Sequence, residues 1–218
     1  MNFVAHIVVG ARCGDVDDAL FLTGTALPDF ASMARIRLRA TPGSLGRGIA
    51  FHHATDHEFH TRAWFVELVR ELRRSLERAS VPDGGARACA HVGVELLLDG
   101  ALITDTGTAR AVDTVYRLVA SPTDERVAAA VAEPERGAWE DHLRRVTTTL
   151  DPRGYEDPAT VAGLLWRIAG RRPRLAFDRA HVPAVAAALA ALQPRVAASG
   201  PAVVDQVASA TRRPAVTT

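Results

Sequence analysis

Cysteine is scarce in this chain: Cys13 and Cys89 are the only two in 218 residues. They lie far apart with no Cys-x-x-Cys spacing, which fits reduced thiols in a cytoplasm and argues against a disulfide framework. Excess charge of either sign is also lacking. The formal net charge of +1 gives no field that would argue for nucleic acid or a membrane surface as partner. The N-terminus, MNFVAHIVVG, has no basic leader and no long apolar run, so it does not read as a signal peptide. No apolar stretch reads as long enough to span a membrane. No segment alternates convincingly between apolar and polar residues, and no internal repeat emerges. What remains is helical periodicity, so the expectation is an all-α, single-domain helical bundle over residues 1–199, followed by a C-terminal tail over 200–218.

Against these absences, histidine is concentrated. Four of the eight histidines fall between Gly48 and His60: His52, His53, His57 and His60, with Asp56 among them. Residues four apart share a helix face. His52, Asp56 and His60 therefore form one stripe, with His53 and His57 on a second beside it. A partner stretch runs from Arg87 to Ile103. Its polar side chains, Arg87, His91, Glu95 and Asp99, recur every four residues, and all else is apolar or glycine. A surface helix has a broad polar face, whereas this narrow line predicts a helix buried nearly all round. A buried carboxylate costs roughly several kcal/mol unless it is paired or bound to a cation. Two of them and a histidine on one side suggest a metal.

The rest of the chain reads as follows. Residues 2–10 are apolar apart from His6. Asp15 precedes a capped helix that Pro28 and Asp29 close. Helices are expected over 62–79, with Trp64, Phe65, Leu68, Leu72 and Leu76 on one side, and over 86–103. Further helices are expected over 109–120, 124–133, 136–149, 158–170 and 178–198, the first three separated by breaks at Ser121-Pro122 and Glu133-Pro134. Arg171, Arg172 and Arg174 form a basic cluster after Gly170. Metal-type residues are confined to about the first 103 positions.

Eight candidate ligands emerge: His6, Asp29, His52, Asp56, His60, His91, Glu95 and Asp99. Imidazole with carboxylate suits Zn, Mn or Fe better than Mg or Ca, which prefer all-oxygen shells. Eight ligands exceed one ion's needs and suggest two or more divalent ions bridged by carboxylate. Such a centre acidifies a bound water and clamps a phosphoryl oxygen, which suits phosphoester hydrolysis. A di-iron oxygenase draws on the same ligand types. Taken singly, each feature also has a plainer reading: a solvated histidine face, a salt-bridge ladder, a cap at Asp29, or a basic helix terminus.

The opening MNFVAH, the GTALPDF at 24–30, the GI-x-x-H-x-x-x-D at 48–56, the E-x-x-x-D-G-x-L at 95–102 and the GRRPRL at 170–175 follow one another as in the acyl carrier protein phosphodiesterase family. The chain resembles a diverged member over most of residues 1–198. The resemblance implies an all-α, HD-domain-like, Mn-dependent phosphohydrolase that releases 4′-phosphopantetheine from the serine of acyl carrier protein. Asp29, His52, Asp56 and Asp99 stand at the family's motif positions, and His6 matches its opening. The departures are Asp99-Gly100 where the family has Asp-His, Glu95 for an aspartate, His60 for an acidic residue, and an added His91. Ligands are rearranged here and not erased, which implies a working centre with changed metal preference or reaction. A second likeness, H-x-x-x-D at 52–56 and H-x-x-x-E at 91–95 with an upstream Pro-Asp, is similar to zinc-dependent phospholipase C.

The function expected is thus a cytoplasmic metal-dependent phosphodiesterase. His53 or His57 would shuttle protons, and Arg171, Arg172 or Arg174 would bind phosphate or an acidic carrier protein. A redox di-iron enzyme and a non-catalytic, metal-stabilised helical binding protein are the alternatives.

Overall fold

A computed structural model describes residues 1–14, 17–120 and 122–212; the Asp15 cap, the Ser121 break and the last six residues of the expected tail lie outside them. The described residues contain no strand and form ten α-helices: α1 (Phe3–Cys13), α2 (Ala19–Ala34), α3 (Gly43–His60), α4 (Ala63–Arg78), α5 (Asp83–Ile103), α6 (Thr106–Val119), α7 (Glu125–Ala128), α8 (Arg136–Thr149), α9 (Pro158–Gly170) and α10 (Val182–Arg212). The all-α expectation is met. The helices gather into two compact units, neither continuous in sequence.

The first unit comprises Met1–Phe59, Ile103–Asp151 and Val204–Thr218. Helix α1 is apolar from Phe3 to Gly10 apart from His6 and is buried over that span, so it forms the centre of this unit. Phe3 packs against Phe30 of α2 and Tyr116 of α6, at ring separations of 5.3 and 6.2 Å. Helix α2 is capped by Asp18, whose carboxylate accepts from the Phe21 amide, which satisfies one of the free donors of the first turn. Trp139 of α8 is fully buried, and its indole N–H donates to the Val127 carbonyl.

Two glycines decide how closely α2 and α3 approach. A Cβ on Gly24 would fall 2.9 Å from the Gly48 Cα and would strike the Leu45 carbonyl; one on Gly48 would fall 2.8 Å from the Gly24 Cα and strike the Phe21 carbonyl. Neither neighbour is a flexible side chain, so the helices would have to part. Gly48→Ala is expected to cost about 2–3 kcal/mol by overpacking, read as a lower urea midpoint at unchanged slope. An unchanged midpoint would show that the contact is looser than the backbone positions imply.

The second unit comprises His60–Leu102 and Pro152–Val203. Helix α4 buries Phe65, Leu68, Leu72 and Leu76, the stripe expected from its period, while the Trp64 indole N–H donates to Ser199 Oγ of α10. Helix α5 is buried from Gly93 to Gly100, but Arg87 and His91 are exposed. It is therefore not buried all round: its polar line runs from solvent at one end to the interior at Asp99. Burial raises the Cys89 thiol to about 12, so this cysteine stays protonated and inert.

Two helices run past the ends read from the sequence, each through proline. Helix α2 does not close at Pro28-Asp29 but runs through to Ala34. The expected tail is not a tail: α10 continues through Pro194 and Pro201 to Arg212, burying Val203, Val204, Val207 and Ala208. Proline removes the bond to the carbonyl four residues earlier. For Pro194 and Pro201 those carbonyls belong to Ala190 and Ala197, both exposed residues, so the lost bonds fall on the solvent side of the helix. The stretch Arg179–Arg212 is also long and apolar enough, by length and composition, to cross a membrane, contrary to expectation. Much of that apolarity comes from alanine, while Val185, Leu189, Leu192 and Val196 are buried.

Candidate metal centres

Two groups of histidine and carboxylate converge among the described residues: His6, His52 and Asp56 in the first unit, and His60, His91 and Glu95 in the second. In each, the three ligand atoms lie within 4.8 Å of one another. Each is a pair of imidazoles with one carboxylate. The helical stripe His52, Asp56, His60 is therefore split: its first two members serve one group and its last serves the other. Neither group includes Asp29, half-buried on α2, or Asp99, fully buried on α5. His53 and His57 are exposed on α3, and Arg171, Arg172 and Arg174 are exposed beyond α9.

In the first group α1 supplies His6 and α3 supplies His52 and Asp56. His6 is wholly buried and His52 nearly so. Their rings stack with centroids 3.7 Å apart at 25°, an arrangement two imidazolium cations would not tolerate. The hydrogen-bond network fixes the His52 tautomer and accommodates the same one for His6. The Thr55 hydroxyl lies 3.0 Å from the Phe51 and His52 carbonyls; when it donates to either, its oxygen is free to accept from His6 Nδ1–H at 3.1 Å. His52 Nδ1–H donates to the Thr25 carbonyl at 2.8 Å, an acceptor brought within reach by the glycine contact between α2 and α3. In that arrangement each ring carries its lone pair on Nε2.

His6 Nε2 is buried with no hydrogen-bond partner. It lies 3.4 Å from Asp56 Oδ1, lone pair facing lone pair. That contact is unfavourable unless a proton or a cation sits between the two atoms. Burial opposes a second proton on the ring: it holds the His6 pKa down at about 3, although Asp56 pulls it upward. Burial likewise lowers His52 to about 4, against the pull of the Thr25 carbonyl and Asp56. Both rings are thus neutral at pH 7, the form that binds metal. Hydrogen bonding of the remote ring nitrogen, as by Thr25 and Thr55, is the usual support of a metal-bound histidine. Asp56 is about one-third exposed and accepts from the Met1 nitrogen at 2.8 Å. The residues present fit a divalent ion, and two histidines with a carboxylate leave further positions open, as catalytic zinc and non-haem iron sites require.

The second group is shallower. Glu95 is largely buried, while His60 and His91 keep 27% and 47% of their side-chain surface exposed. Glu95 Oε1 lies 2.9 Å from His60 Nε2 and 3.4 Å from His91 Nε2. Burial raises the Glu95 pKa, but the hydrogen bonds from His60 and His91 outweigh it and hold the carboxyl well below its usual range. The two rings lie nearly parallel, 4.9 Å apart, and Phe65 presents an edge-to-face contact to both.

The sequence reading named all six clustered residues but missed their supports: Thr25, Thr55, the Met1 nitrogen and Phe65. Only Thr55, next to Asp56 on the same helix, left a local signal. No family model, curated protein or solved structure matches the chain.

Proposed function

We propose that the protein is a metal-dependent phosphoester hydrolase whose ion is held by His6, His52 and Asp56. One observation carries this reading: a buried, unpartnered imidazole nitrogen faces a carboxylate oxygen at 3.4 Å, beside a second neutral histidine. A bound ion would supply a more acidic water and a positive charge for a phosphoryl oxygen. The protein's own groups do the rest. Thr55 and Thr25 hold the two rings in the ligating tautomer. Asp56 balances the ion's charge and, being partly exposed, marks the side from which substrate and water arrive. His53, exposed with its ring 5.3 Å from that of His52, is one proposed proton carrier, and His57 the other.

The resemblance to the acyl carrier protein phosphodiesterases supports a phosphodiester substrate on an acidic carrier protein, an HD-domain-like frame and a cytoplasmic setting. It also supports Arg171, Arg172 and Arg174 as contacts for phosphate or carrier. Zn, Mn and Fe are the proposed ions. The same two-histidine, one-carboxylate donor set also favours a second reading, an iron enzyme of oxygen chemistry.

The test is elemental analysis of protein purified without chelator or histidine tag, followed by turnover of bis(p-nitrophenyl) phosphate and of a phosphopantetheinylated carrier. Bound Zn or Mn, with turnover lost on chelation and restored by the ion, is the expected result. Stoichiometric iron with oxygen consumption moves the assignment to redox chemistry. Metal that raises the melting temperature without turnover of any phosphoester leaves a binding protein and ends the hydrolase reading.

A further inference from the structure

The second unit contains a group that the proposed hydrolytic site does not use. We propose that His60, His91 and Glu95 form a separate site for a borderline divalent transition ion of the Zn²⁺ or Co²⁺ class, independent of the first. In a tetrahedral zinc site with bonds of about 2.0–2.1 Å, ligand atoms stand about 3.3 Å apart. The distances from Glu95 Oε1 to the two Nε2 atoms, 2.9 and 3.4 Å, bracket that spacing. Both histidines aim the same nitrogen at one carboxylate oxygen.

The rings are also pre-positioned. Phe65 packs edge-on against both at 4.8 and 5.1 Å, limiting their rotation and reducing the entropy lost when an ion binds. The donor chemistry selects the ion: two imidazoles suit zinc, cobalt or nickel and disfavour magnesium and calcium. The site is half-exposed, so an ion enters from solvent without opening the core. Bound there, it would join the end of α3 to α5 and close the loop that contains α4, a clip that constrains the unfolded chain. His60 and His91 are two of the positions at which the sequence departs from the phosphodiesterase pattern, so this site is not one the resemblance carries.

Cobalt titration of the metal-free full chain tests the proposal, with bound Co²⁺ counted by equilibrium dialysis and followed by its visible absorption. The variants are His52→Ala, His52→Ala with His91→Ala, and His52→Ala with His60→Ala, each checked for helical circular dichroism. His52→Ala is expected to retain one equivalent and its melting-temperature increment, and either second substitution to weaken it at least about a hundredfold. If His52→Ala binds nothing, or the double variants keep their equivalent undiminished, the proposal is overturned. A wild type that binds one ion, lost with His91 and indifferent to His52, would support this site while removing the one proposed for hydrolysis.

Discussion

Asp56→Ala is expected to abolish phosphoester turnover and to weaken metal binding in the first unit by about 10²–10³-fold, the scale of losing one ligand from a three-ligand set. His52→Ala should do the same. The two differ in what they leave behind. Without Asp56, two neutral imidazoles remain, and the Met1 nitrogen loses the acceptor at 2.8 Å. Without His52, the Thr25 carbonyl loses its donor and His6 loses its stacking partner. Thr55→Val is the graded control. It removes the oxygen that accepts from His6 Nδ1 but no ligand atom, and a loss of about 10–100-fold is expected. Elemental analysis beside kcat/KM on bis(p-nitrophenyl) phosphate measures all three. Full turnover by Asp56→Ala would sink the assignment of the site.

The metal-free protein is expected to lose on the order of 5 kcal/mol of stability between pH 6.5 and pH 4, an appreciable part of a domain's whole folding free energy. His6 and His52 have folded-state values of about 3 and about 4, below the usual histidine value near 6.5. Between those values the unfolded chain binds more protons than the folded one, so stability rises with pH in that window. The contribution is fully present above about pH 6.5. It falls away as the pH drops toward about 4 for His52 and about 3 for His6. The cause is desolvation: protonation would place two cations in stacked, buried rings. Urea midpoints across this range, with chelator present, measure the effect. A flat profile would mean that water reaches the rings. His6→Leu should flatten the acid limb while keeping the fold, because it removes one of the two groups that must charge.

Several elements of the protein can be read without the structure. The α4 stripe follows from its period, because a helix that buries one face must place large apolar residues at spacings of three and four. Helix α9 ends at Gly170, as expected where a glycine follows an apolar run. The six clustered histidines and carboxylates were all recognisable by type, since imidazoles and carboxylates beside apolar residues are costly without a partner. Spacing alone was misleading for the stripe at 52, 56 and 60: four-residue periodicity says that side chains share a helix face, not that they share a site. It was equally misleading for Asp99, which continues the line of His91 and Glu95 but joins neither group.

What the sequence determined by itself is the all-helical class and the chemical character of the centres, because both follow from local periodicity and residue type. Tertiary structure alone decided which ligands meet. His6 reaches Asp56 across a separation of 50 positions through the packing of α1 against α3, and the close approach at Gly24 and Gly48 brings the Thr25 carbonyl within reach of His52. It also carried α10 through Pro194 and Pro201, where buried valines and exposed carbonyls outweigh the local preference of proline to end a helix. Tautomer, neutrality and the partnerless nitrogen of His6 are likewise tertiary: each arises from what surrounds a side chain, and the surroundings come from segments distant in the chain.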